Sequence, residues 1–155
     1  MKLSCVPVLA LLVFSSGRAA TGEVLDSRPA TVLQVVTQAG YSAKLNPGDS
    51  KNGPFITLTI DGDVVYLNLE GCKADGCKRV DATTGYDADT SSDEVTEYVN
   101  GWNASHYTQA YSDTEEEVAY LDSSYLMTGG YTRANMVAWL KAYLDDLTDF
   151  ADNLP

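Results

Sequence analysis

Basic residues are few in this chain. Lysine and arginine together number 10, against 22 aspartates and glutamates, so the formal net charge is -12 and the pI is near 4.2. That balance argues against nucleic acid or anionic lipid as a partner, since both need a cationic face. Histidine is scarcer still, with His106 alone. A serine or cysteine triad would have to be built on it. It follows Asn103-Ala104-Ser105 just past a predicted helix, among aromatic residues, where a surface or packing role is the simpler reading. The G-x-S-x-G, H-E-x-x-H, P-loop and dinucleotide motifs are all missing. Carboxylates could still act as acid and base, but among 22 of them the sequence nominates no pair. EF-hand spacing is missing too, so Asp61, Asp63, Asp87 to Asp93 and Glu115-Glu116-Glu117 read as solvated acidic surface before they read as calcium ligands.

Long apolar runs are also lacking. The run Val6 to Phe14 is far below the ~20 residues that cross a bilayer. With Lys2 before it and Gly17-Arg18-Ala19 after it, it reads as a secretory signal peptide cut after Ala19. Cys5 precedes the apolar run, which excludes a lipoprotein. The removed segment carries Lys2 and Arg18 and no acid, so the remaining chain is more acidic still. The expectation is a signal over 1-19 and a single domain over 20-155, soluble in a periplasm or outside the cell, with no membrane attachment once the signal is gone.

Cysteine is limited to Cys5, Cys72 and Cys77. The last two flank Lys73-Ala74-Asp75-Gly76, a turn sequence. In an oxidising compartment they are expected to pair as a disulfide. Two thiols are too few for zinc.

What is present is regular patterning in a chain of ordinary hydrophobic (45 %) and charged (21 %) content, the composition of a folded domain. Asp26 or Ser27, then Pro29, start a helix through Val32, Val35 and Val36 that Gly40 ends. Tyr41 to Leu45 is a short strand. Phe55 to Leu69 alternates as a hairpin, with either Asp61-Gly62 or Gly62-Asp63 as its central pair. Lys78 to Thr83 adds a strand. Ser91 and Glu94 form a capping-box pattern ahead of Val95, Tyr98, Val99 and Trp102. Tyr107 to Tyr111 and Glu117 to Asp122 are two more strands. Thr132 caps a last helix, whose Met136, Leu140, Tyr143, Leu147, Phe150 and Leu154 alternate spacings of four and three. This order predicts an α+β domain, α-β-β-β-(β)-α-β-β-α, with an antiparallel sheet flanked by helices.

Phenylalanine is scarce, but tyrosine numbers 10 and tryptophan 2. Rigid amphipathic aromatics favour contact surfaces as well as cores. Tyr98, Trp102, Tyr107, Tyr111, Tyr120 and Trp139 are the candidate binding surface. No catalytic residue, metal ligand or cofactor is nominated.

Several segments together resemble one family. They are Ile60-Asp61-Gly62, the Tyr66 to Leu69 strand, the paired cysteines, Val99-Asn100-Gly101-Trp102-Asn103, Tyr107 to Tyr111, Asp113, Asp122, Leu126, Gly129-Gly130 and Thr132. Across Ser27 to Leu154 the chain resembles the YbjN-domain family, to which regulation of bacterial sensory transduction is ascribed. The resemblance implies a type III secretion chaperone-like fold, and such chaperones are small, acidic, often homodimeric holders of extended segments. It carries over no catalytic residue, and the expected export departs from cytosolic secretion chaperones. The expectation is therefore an exported, non-enzymatic protein-binding or regulatory module. Its partner is an unidentified protein or peptide, or a second copy of the chain. A small carboxylate-dependent hydrolase or a calcium-stabilised structural protein is the alternative.

Overall fold

The computed structural model describes residues 22-49 and 52-155. The expected signal peptide and its expected cut after Ala19 lie outside the described residues. The elements are β1 (Val24–Leu25), α1 (Pro29–Gln38), β2 (Ser42–Asn46), β3 (Phe55–Ile60), β4 (Asp63–Glu70), β5 (Arg79–Asp87), α2 (Asp93–Ser105), β6 (Gln109–Asp113), β7 (Val118–Leu126), β8 (Tyr131–Thr132) and α3 (Arg133–Asn153). Six strands form one antiparallel sheet in the order β2-β3-β4-β5-β7-β6, and β1 pairs β8 in a separate ladder. This is the α+β order expected from the sequence, with the small β1–β8 ladder added.

Among the described residues, helices cover one face of the sheet. Alternation sends Ile56, Leu58, Val65, Leu67, Leu69, Val80, Ala82, Ala119 and Leu121 inward, all nearly inaccessible to solvent. They meet Val32, Val35 and Val36 of α1 and Met136, Leu140, Tyr143, Leu147 and Phe150 of α3 in one hydrophobic core. Burial of these faces is the main force holding the two layers together. The alternate residues of the same strands face away from every helix.

Local chemistry sets the ends of the elements. The hairpin turn has Asp61-Gly62 at its centre, since Ile60 pairs with Asp63. Both central residues have positive φ, 52° at Asp61 and 107° at Gly62, the backbone a two-residue turn needs and that Asp-Gly supplies at low cost. Thr132 caps α3 as expected, its hydroxyl accepting the Asn135 N–H at 3.2 Å.

Two caps differ from the sequence reading. The N-cap of α2 is Ser92, whose hydroxyl accepts the Val95 N–H at 3.2 Å. Ser91 instead donates to Asp89 at 2.6 Å, because Asp89 offers a charged acceptor in the preceding turn. The N-cap position of α1 is Arg28, without a side-chain cap bond. Asp26 still serves that helix end: its carboxylate accepts the Arg28 N–H at 3.1 Å, the Arg28 guanidinium at 2.6 Å and the Thr31 hydroxyl at 2.6 Å. The Arg28 guanidinium, helped by Thr31, holds the Asp26 carboxyl well below the usual range.

The disulfide joins Cys72 and Cys77 as expected. It closes the turn between β4 and β5. The Cys77 N–H donates to the Ser27 carbonyl at 3.0 Å, so the stapled turn also holds the segment leading into α1. No described helix is long and apolar enough to cross a membrane.

Candidate functional site

The face of the sheet away from the helices is built from Phe55, Thr57, Tyr66, Asn68, Arg79, Asp81, Thr83 and their neighbours in register on β7 and β6. Strand pairing sets Tyr66, Thr83, Asp122 and Gln109 in one row across four strands. The next row is Gly85, Tyr120 and Tyr111. Val64 (40 %), Tyr66 (44 %), Tyr111 (44 %) and Leu126 (74 %) are large apolar or aromatic side chains exposed on this face.

Tyr111 and Tyr120 are paired directly across β6 and β7. Their rings stack with centroids 5.0 Å apart and planes 17° from parallel. Gly85 makes this possible. A Cβ there would lie 2.7 Å from both Tyr120 Cε1 and Val118 Cγ1, so the absent side chain leaves room for the Tyr120 ring over β5. The Tyr120 hydroxyl donates to the Glu116 carboxylate at 2.5 Å, which keeps the phenol protonated up to about 12. A second aromatic pair, Phe55 and Tyr66, lies on β3 and β4 with centroids 6.1 Å apart.

Between the two pairs runs an open depression of about 510 Å³ lined by Glu70, Arg79, Asp81, Thr83, Gln109 and Asp122, among others. The oxygens of Asp81 are engaged, one accepting the Ser124 hydroxyl at 2.6 Å and the other the Arg79 Nε–H at 2.7 Å. Asp122 differs. Its Oδ1 is buried with no hydrogen-bond partner. Burial pushes its carboxyl above the usual range, the Asp81 charge adds to that, and the nearby Thr83 and Tyr111 hydroxyls oppose it. A half-buried acid facing a second acid is costly to ionise without a cation nearby.

The six aromatic residues singled out in the sequence do not share one surface. Trp102 is inside, 4 % exposed, with its indole N–H donating to Thr108 at 2.9 Å and its ring edge-on to Phe150 at 5.2 Å. Tyr98 packs on Phe150 at 5.4 Å and donates to the Phe150 carbonyl at 2.9 Å. Trp139 lies on the helix side, against Tyr125 at 5.4 Å, its N–H donating to Ser123 at 3.0 Å. Tyr107 is fully exposed in the loop before β6 and lines the depression. Tyr111 and Tyr120 are the two that meet on the open face. Amphipathic helix positions drew Tyr98, Trp102 and Trp139 inward, while alternation set Tyr111 and Tyr120 outward. Sequence reasoning met Asp122 only as part of the family resemblance and a strand end, not as a site residue, and it passed over Gly85. Strand alternation could have placed both on the outer face, but only pairing register brings them to the tyrosines.

His106 stacks flat on Trp102, with ring centroids 3.7 Å apart. Its Nδ1 lies 3.0 Å from the Ser105 hydroxyl and 3.3 Å from the Trp102 carbonyl, and its Nε2 lies 4.0 Å from the Asp149 carboxylate. Among the described residues no group of three or more histidine, cysteine, aspartate or glutamate side chains is arranged to hold a metal ion.

Comparison with known proteins bears on this geometry. No curated protein matches the chain. The family described as YbjN, Putative bacterial sensory transduction regulator, matches residues 28-155. That span contains the whole six-stranded sheet, its three helices, the disulfide and both tyrosines of the stacked pair. By that match the chain belongs to the YbjN family.

Proposed function

We propose that the chain is an exported, non-catalytic regulatory module that holds a partner protein against the helix-free face of its sheet. The observation that carries this reading is the uncovered face itself. A six-stranded sheet buries one side under three helices and leaves Val64, Tyr66, Tyr111 and Leu126 exposed on the other. Exposed apolar and aromatic groups gathered on one face mark interaction sites. Membership in a family of regulators agrees with this role. Export is supported by the Cys72–Cys77 disulfide, since such bonds persist in oxidising compartments, and by the signal-like segment ahead of Ala20.

Site-specific photocrosslinking tests the binding face. A photoreactive residue at Tyr66 or Leu126 is expected to yield a discrete adduct in the native cell, and the same probe at exposed Lys141 on α3 is not. Adducts only from the helix layer would overturn the face. An adduct of doubled chain mass would identify a second copy as the occupant. N-terminal sequencing of protein recovered outside the cytoplasm tests export, and a first residue at Ala20 is expected.

A further inference from the structure

The chemistry of the open face names the partner more closely, on the reading just given. On β5, β6 and β7 the charged residues that alternate outward are Arg79, Asp81, Asp87, Asp113 and Asp122. Arg79 is already held by Asp81 at 2.7 Å. Glu116 adds another acid at the edge, bound to the Tyr120 hydroxyl. The stacked Tyr111–Tyr120 pair is therefore a π surface flanked by carboxylates, with no free cation on this part of the face among the described residues. A tyrosine face attracts a cation through its quadrupole, and a guanidinium also stacks flat on it. A second copy of this chain would set acid against acid on the same ground.

We infer that the β5–β7–β6 end of the open face docks an arginine-rich segment of a partner protein, one guanidinium lying on the Tyr111–Tyr120 pair and its neighbours meeting the acids beside it. The unpartnered Oδ1 of Asp122 beneath this spot fits the assignment. A cation above it supplies the favourable charge that the folded chain alone does not.

The test is titration of the full processed chain with a labelled short arginine–serine repeat peptide, next to glutamate–serine and glycine–serine repeats. Binding is read by anisotropy and mapped by amide chemical shifts. Saturable binding of the arginine peptide alone is expected, with shifts centred on Tyr111, Tyr120 and Asp122. Tyr120→Leu and Asp122→Asn are each expected to weaken it roughly fivefold or more. Asp145→Asn, the same charge change on the exposed helix layer, is expected to leave it unchanged. Equal weakening by Asp145→Asn, shifts spread over the helices, or preference for the glutamate or uncharged peptide would overturn the inference. Circular dichroism melts verify that each variant is folded. If the arginine peptide fails while crosslinks at Tyr66 and Leu126 persist, the charge assignment falls and the docking face stands. If those crosslinks are absent, the docking face falls.

Discussion

The phenol oxygen of Tyr143 lies 3.0 Å from the Thr84 hydroxyl and 3.0 Å from the Leu121 carbonyl. One phenol thus ties α3 to two neighbouring strands, β5 and β7, in the middle of an apolar core. Tyr143 is almost wholly buried, and burial raises its pKa. Tyr143→Phe keeps the ring and leaves Thr84 without this partner. The expected cost is about 1–2 kcal/mol, measured as a lower urea midpoint with an unchanged slope.

Gly85→Ala tests the seat of the tyrosine pair. The new Cβ meets Tyr120 and Val118 at 2.7 Å, and a ring cannot yield as a flexible chain end does. Destabilisation of about 1–3 kcal/mol is expected, with a changed near-ultraviolet tyrosine signal. An unchanged spectrum would mean that the ring does not rest on β5.

Asp122 gives a pH dependence of defined sign. Its folded pKa is raised, chiefly by burial. The stability it contributes is fully present below its unfolded pKa and is lost as pH rises through the folded value. Asp122→Asn removes that loss. The variant is expected to melt a few degrees higher than the parent at neutral pH, and the gap is expected to close as pH falls toward the unfolded carboxylate range. Asp26 has the opposite sign: its lowered pKa adds stability that is lost on acidification. Only the difference between parent and variant isolates Asp122.

Removing the disulfide by the double change Cys72→Ser and Cys77→Ser is expected to cost about 2 kcal/mol, the entropy of closing a short loop. The damage should be uneven. The stapled turn donates the Cys77 N–H to Ser27, so faster amide exchange is expected at the start of α1, while the hydrogen-bonded centre of β4 and β5 keeps its protection.

Much of the fold was legible in local pattern. Alternation from Ile56 to Ile60 and from Val65 to Leu69 marks the hairpin, and the four-three spacing from Met136 to Phe150 marks α3. Both patterns follow from one-sided burial, which the sheet and helix then display. The β1–β8 ladder was not legible. Val24–Leu25 is two residues long and pairs with residues more than a hundred positions away, and so short a strand has no period to read. The caps of α1 and α2 were displaced by one or two residues, because adjacent acids and hydroxyls compete for the same N–H groups. The site was the least legible part. Tyrosines are equally suited to core and surface, so their number alone could not separate Trp102 and Tyr98 from Tyr111 and Tyr120. Asp122 looks like any of the other acids until pairing with Thr83 and Gln109 shows what surrounds it.

The β1–β8 ladder also decides how the molecule can be presented. Val24 lies opposite Thr132 and Leu25 opposite Tyr131, and Gly22 and Leu25 share a groove with Gln38 of α1 and Val137 of α3. The early part of the described chain is thereby clamped to the helix layer. A linker attached ahead of Gly22 would anchor the domain by its covered side. On a biosensor chip or a bead, the bare sheet would then point outward, away from the support.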